Sequence, residues 1–419
     1  MVIGGTALTG GRFSIAGSVL GAVLISALDI TTYTIGVLSR DHAAVQGRRG
    51  RRALPEPVRR LPRRGVPPPR RRSRHSRSRG LRMIDISAPP QPETAAVTPR
   101  RRRGLDRRHI PVLATLGLLA FMYGLGVANY DNFSDAQVFL NIFVDNAFLL
   151  VVAAGMTFVI LTGGIDLSVG AVVALTTVLA ATLLDAGWPA AVVLPLVLLM
   201  GTSMGLGMGA VIHYFKVEPF IATLAGMFLA RGLALLINRN SIPITDPFWT
   251  AMAQERIRFA PGIFISTSVV IALVVVLIGA YVLAYTRFGR TVYAIGGNAD
   301  SALLMGLPVG RTRIAVYTVS GFCSSLGGVL LSFYMLSGYS LHAQGMELDA
   351  IAAVVIGGTI LTGGSGYLLG TVLGVMVLGM IQTIIAFQGD LSSWWTKIVI
   401  GVLLFAFIVL QRLVTRRTS

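Results

Sequence analysis

The chain has 419 residues, 54% of them hydrophobic and only 13% charged, with a mean hydropathy of +0.72. So apolar a composition excludes an ordinary soluble enzyme and points to a membrane protein. The formal charge of +18 is lopsided: residues 1–82 hold 17 arginines against Asp29, Asp41 and Glu56, a net +14, which leaves only +4 for residues 83–419. In chain order, residues 1–36 come first, and they open on VIGGTALTGG at 2–11, a run that returns as VIGGTILTGG at 355–364. Gly17 and Gly21 match Gly370 and Gly374 at the same offset, and 13 of the 23 positions in 2–24 are repeated. The second copy ends a long apolar domain, whereas the first has nothing upstream to pack against. Residues 1–36 therefore read as the tail of one membrane protein joined to the whole of a related one. Residues 37–82 are rich in Arg and Pro and cannot bury a core, so they are expected to be disordered. An anionic-lipid or nucleic-acid tether is one reading. The favoured one is translation out of frame, because the first copy stops making sense where Arg and Pro take over. Met83 is then the expected start, and residues 83–109 a polar cytoplasmic leader without the h-region of a signal peptide.

From residue 110 the chain reads as all-α and polytopic. Apolar stretches close to the roughly 20 residues needed to cross hydrocarbon lie at 110–128, 138–161, 168–186, 189–213, 219–237, 263–286, 314–337, 348–362, 366–388 and 394–412. The domain 110–412 is thus expected to hold about ten spans, followed by a cytoplasmic tail at 413–419. Arg100–Arg103 precede the first span, Arg287, Arg290, Arg311 and Arg313 flank the connection after the sixth, and Arg412, Arg416 and Arg417 follow the tenth. Even numbers of crossings separate these clusters, so the positive-inside rule places all three, and both termini, in the cytoplasm of an inner-membrane protein. The single cysteine, Cys323, excludes an intrachain disulfide.

The connection RFGRTVYAIGGNADSALLMGLPVGRTR, Arg287 to Arg313, is too polar for lipid. Gly296, Gly297, Asn298 and Asp300 suit a turn and an N-cap, and SALLMG suits a short helix ended by Gly306 and Pro308. An accidental amphipath is the plainer alternative. The order acidic, small, small, then Gly, set by Asp300, Ser301, Ala302 and Gly306, resembles the coupling-loop motif of ABC importer permeases, with Asp in place of its usual Glu. Small residues let such a helix seat closely in a groove of an ATPase, and Gly306 permits a sharp exit.

Two further motifs interrupt the apolar bulk. TGGIDLSVG at 162–170 and LTGGSGYLLG at 361–370 set paired glycines between spans, so Thr162, Gly163, Gly164, Thr362, Gly363 and Gly364 mark broken helices in a pseudo-repeat. Irregular backbone survives in a membrane only when buried in protein or lining a polar cavity. Asp166 is costly in hydrocarbon and is a site candidate by default; the plainer reading is that Asp166 or Ser168 caps the helix that starts near Val169. For a neutral polar cargo, Asn141, Asn146, Thr157 and Gln382 are the expected lining groups. His213 and His342 are expected to be structural or solvated, and Trp394 and Trp395 to be interface anchors. With no Walker A motif and no cluster of metal ligands, the chain is expected to hold no catalytic residue, metal or cofactor of its own.

Taken together, DNAFLLVVAAGMTFVILTGGIDLSVG, FIATLAGMFLARG, YAIGGNADSALLMGLPV, ELDAIAAVVIGGTILTGG and LSSWWTKIVIG resemble the ribose/galactose-type permeases of bacterial ABC importers, over about residues 108 to 412. Within that family the likeness is greatest to galactofuranose permeases, and residues 1–36 resemble the C-terminal part of a sister permease. The resemblance implies a sister permease beside this chain, a sugar ATPase holding ATP and Mg below, and a periplasmic sugar-binding protein above. Membrane lipid is the remaining partner, and no nucleic acid is expected. The segments Ser241–Gly262 and Gly338–Asp349 would receive the binding protein, Glu347 and Asp349 either docking it or capping the eighth span. Ribose, galactose or another monosaccharide, a branched-chain amino acid, and an ion-coupled mechanism are the alternatives; the last would want more intramembrane carboxylates than Asp166.

Overall fold

The computed structural model describes residues 110–389 and 394–416; the expectations for 1–36, 37–82 and 83–109 lie outside the described residues. Thirteen helices and four short strands follow one another there. They are α1 (Ile110–Asn129), α2 (Ala136–Leu161), α3 (Val169–Asp185), α4 (Ala190–Tyr214), α5 (Pro219–Ile237), β1 (Ile242–Pro243), α6 (Pro247–Gln254), β2 (Arg256–Ala260) and β3 (Ile263–Ser266). Then come α7 (Thr267–Tyr285), α8 (Arg287–Gly297), α9 (Ala299–Leu304), α10 (Val309–Met335), β4 (Ser337–Gly338), α11 (Met346–Ile356), α12 (Leu368–Gln388) and α13 (Trp394–Arg416). Seven of these, α1, α2, α4, α5, α7, α10 and α12, are long and apolar enough to cross a membrane. The protein is an all-α polytopic membrane protein.

Of the ten expected spans, 168–186, 348–362 and 394–412 give helices outside those seven, and three stretches differ in bounds or form. The stretch 263–286 begins as a strand, because Gly262 at φ +81° turns the chain back and pairs β3 with β2 before α7 starts. The stretch 314–337 starts earlier, at Val309, so Arg311 and Arg313 belong to the first turns of α10. The stretch 348–362 is the main correction. Its helix, α11, has 11 residues, about 16 Å at 1.5 Å per residue, or half a hydrocarbon core. Irregular chain follows it, its backbone satisfied locally by Gly358 N–H donating to Val355 O (2.9 Å) and Ile360 N–H to Ser365 O (3.0 Å).

The centre of the bundle is α2, which α7, α10, α11 and α12 surround. Burial separates it from its neighbours: 83% of the α2 span is buried, against 17% of α1 and 28% of α7, whose outer faces are left for lipid or a partner. Helix α10 packs closely along α4. On α4, Gly201, Gly205 and Gly209 repeat every fourth residue, and a Cβ on Gly205 would run into the Tyr317 carbonyl. This small-residue seam lets two membrane helices meet backbone to backbone.

Hydrogen bonds sort the element ends into two opposite sets. At the hairpin end, β1 pairs with β4, Gln137 and Phe264 exchange hydrogen bonds, and the Tyr130 hydroxyl donates to Gln388 Oε1 (2.5 Å). At the glycine end, Gly364 N–H donates to Leu161 O (2.9 Å) and the His213 ring lies against Gly310. Helix α1 ends, and α13 begins, on the hairpin side, so both outer ends of the described bundle return to the glycine end.

Candidate functional site

The two glycine breaks, 200 residues apart in sequence, are one structural unit. Thr162 ends α2, its hydroxyl donating to Val159 O (2.8 Å), and Gly163 at φ +77° turns the chain. The second break reaches it through the Gly364–Leu161 hydrogen bond, with the Thr362 carbonyl facing Gly163 and both Gly363 and Gly364 at positive φ. The end of α8 closes the junction: a Cβ on Gly296 would overlap the Leu161 oxygen and the Gly364 nitrogen. Backbone therefore touches backbone among α8, the α2–α3 break and the α11–α12 break.

Beyond Gly164 the chain does not leave the bundle. It continues without regular secondary structure to Asp166, which is fully buried. Asp166 Oδ1 accepts from Ser168 N–H (2.9 Å) and Ser168 Oγ (2.6 Å), and Oδ2 accepts from Ser320 Oγ (2.7 Å) at the middle of α10. Ser168 itself makes no side-chain cap on α3. Asp166 does the holding, through an Asx-type turn that anchors an irregular segment to α10, as burial of a carboxylate demands.

Around the junction stands the connection from Arg287 to Arg313. Asn298 caps α9, its Oδ1 accepting from Ser301 N–H (2.7 Å), and Gly306 at φ +76° ends it. Gly297, Asp300 and Ser301 are exposed. Ala302, read as part of an outward small-residue face, is instead fully buried, because the one-turn helix must turn its small side inward to lie close to the bundle. What α9 presents outward is Leu303, Leu304 and Met305, at 63%, 89% and 68% exposure. The sequence signal for them was available: three large apolar residues in a loop too polar for lipid. Beside them a cavity of about 760 Å³ is walled by Arg287, Arg290 and Arg311 with Phe288, Leu307 and Pro308.

Residues 138–408 match a family described as branched-chain amino acid transport system / permease component. The chain belongs to this permease family. It is 48% identical over 307 residues to the inner membrane ABC transporter permease protein YjfF of Escherichia coli, covering 73% of this chain and 93% of that one. It is 42% identical to the fructose import permease protein FruG of Bifidobacterium longum, over 75% of this chain and 94% of that one. It is 37% identical to the ribose import permease protein RbsC of Bacillus subtilis, over 71% and 91%. No solved structure matches the chain.

The remaining expected residues of this permease lie apart from the junction. Asn146 is buried between α2 and α12, its amide donating to Ile142 O (3.0 Å) and packing on Gly379. Thr157 bonds Thr371 across the same helices (2.8 Å), Asn141 accepts from Gln137, and Gln382 is exposed. Toward the hairpin end, Glu347 is turned inward, its carboxylate occupying the space beside Gly170. Asp349 forms an ion pair with Lys397 on α13 (2.6 Å). Neither carboxylate stands free on an outer surface. Arg231 on α5 was missed by sequence reasoning; its Nη1 donates to Ser340 O (2.6 Å) and His342 O (2.9 Å), tying the chain ahead of α11 to α5. Burial and the Arg231 guanidinium hold the His342 imidazole below its ordinary range, so it is neutral at pH 7 and Arg231 is the cation of this cluster.

Proposed function

We propose that this permease is the membrane subunit of an ATP-driven monosaccharide importer, with galactofuranose as the preferred sugar, and that the glycine end faces the cytoplasm. The observation that carries the mechanism is the backbone junction of Gly296 with Leu161 and Gly364. A partner ATPase, holding ATP and Mg, grips the outward apolar residues of α9 and the arginines beside it. ATP-driven closure moves α9, and the incompressible junction passes that movement to both broken helices at once. The short helix α11 and the irregular segment before α3 then reorient, opening the path to one side or the other. Binding energy enters as differential affinity for two global states, so this chain needs no reacting group of its own.

The relatives named as fructose and ribose import permeases support sugar as the cargo class. A sister permease beside this chain and a periplasmic binding protein docking at the hairpin end complete the assembly. Branched-chain amino acids are the second reading, favoured by the family description. The test is uptake into proteoliposomes carrying the chain, its sister permease, ATPase and binding protein, with labelled galactofuranose, ribose, fructose and leucine supplied in turn. ATP-dependent uptake of a sugar and not of leucine is the expected outcome. Leucine uptake would transfer the chain to the second reading, and uptake driven by an ion gradient without ATPase would sink the mechanism.

A further inference from the structure

A second cavity, of about 520 Å³, opens at the glycine end between the α2–α3 break, the α4–α5 connection, α9 and α10. Its size falls in the roughly 300–1,000 Å³ range of small-molecule sites. Three features mark it as a site. The first is the hydroxyl of Tyr317, a residue 1% exposed, which has no hydrogen-bond partner. A buried phenol left unpaired is unfavourable and is relieved by any ligand offering a polar atom. The second is the charge of the walls. Lys216 and Arg313 line it together with Glu218 and Asp300, two cations and two carboxylates beside His213, and among the described residues none of the four is in an ion pair. So balanced a lining favours neither an anion nor a cation, while offering donors and acceptors together. The third is strain: Lys216 sits at φ +52°, in the left-handed region that side-chain-bearing residues seldom occupy.

We propose that this cavity is a product-side subsite for a neutral polyhydroxylated solute of monosaccharide size, and that its occupancy restrains α9. Hydroxyl groups of such a solute donate to Asp300 and Glu218 and accept from Lys216, Arg313 and the Tyr317 phenol. Asp300 and Leu303 belong to α9, while Lys216 and Glu218 belong to the α4–α5 connection. A solute bridging them ties the coupling element to the bundle and opposes the movement on which transport depends. Accumulated sugar therefore slows its own import. This inference rests on the importer reading, on the inward-facing glycine end in particular.

The experiment is initial ATP-driven uptake into proteoliposomes carrying the whole complex, loaded inside with unlabelled ribose, fructose or galactofuranose, whichever is transported, or with osmotically matched potassium chloride. Internal sugar is expected to slow uptake by about fivefold or more. The ratio of loaded to chloride-filled rates is expected to return toward one in Tyr317→Phe, and independently in Lys216→Met should the first variant fold poorly. Equal rates in the unaltered complex would overturn the subsite, as would a ratio that neither variant changes. Absence of uptake into the chloride-filled vesicles would instead overturn the importer reading, and this inference with it.

Discussion

Asp166 illustrates what a single buried carboxylate does when no cation accompanies it. Its three hydrogen bonds come from Ser168 and Ser320 alone. Replacing it by Ala strands an N–H and two hydroxyls in the interior, at about 1–3 kcal/mol for each unsatisfied group. We expect Asp166→Ala to lower stability by about 3 kcal/mol or more, read as the thermal midpoint in nanodiscs, and Asp166→Asn to lose clearly less because it keeps an acceptor oxygen. Equal losses for the two would show that charge, not hydrogen bonding, is at stake. The acid itself was legible, since a carboxylate between apolar spans is conspicuous. Its partner was not: Ser320 is one hydroxyl among many, 154 residues away. Gly296 is the second instructive residue. Beside Gly297 it reads as one more turn glycine, yet its missing side chain is what lets α8 touch both breaks. Gly296→Val is expected to leave ATP binding by the partner intact and to abolish ATP-driven uptake; uptake within twofold of the unaltered protein would remove the junction from the mechanism.

At the scale of elements, the seam of α4 against α10 offers a controlled comparison. Gly205 has the Tyr317 carbonyl where a Cβ would go, whereas Gly207, half a turn away, has nothing within 4 Å. Gly205→Leu should cost the 1–3 kcal/mol typical of overpacking or more, while Gly207→Leu should leave the unfolding midpoint unchanged; comparable midpoints for the two variants would refute close packing as the role of the repeat. Helix α9 makes the opposite case, an element whose worth lies outside the bundle. Because Leu304 is 89% exposed, Leu304→Ser should not alter folding. Loss of an apolar anchor from an interface is worth about 1–2 kcal/mol, so co-purification of the ATPase is expected to fall by roughly tenfold. Unaltered co-purification would place the docking face elsewhere. That α9 exists, begins at an Asn cap and stops at Gly306 was readable from residue types. Which side faces out was not, for six residues are too few for a period to declare itself, and only packing decides that Ala302 turns inward.

For the molecule as a whole, the described part matches its family over residues 138–408, and residues 1–82 stand outside that match. On the proposal that they are no working part of the permease, removing residues 2–82 and starting at Met83 should leave uptake per folded molecule unchanged; a loss of transport with normal insertion would assign them a task. The sequence by itself determined the class and where the helices break, because hydrocarbon imposes a length and a polarity on every span and glycine pairs interrupt both; of its ten expected spans, seven are helices long and apolar enough to cross. Tertiary structure alone decided that the expected eighth span is an 11-residue helix followed by irregular chain, that the two breaks and α8 meet as one junction, and that Glu347 turns inward. The reason is physical: burial and hydropathy act on each residue separately and are written locally. Contacts between backbone atoms 70 to 200 residues apart depend on how whole helices are stacked, and no local pattern records them.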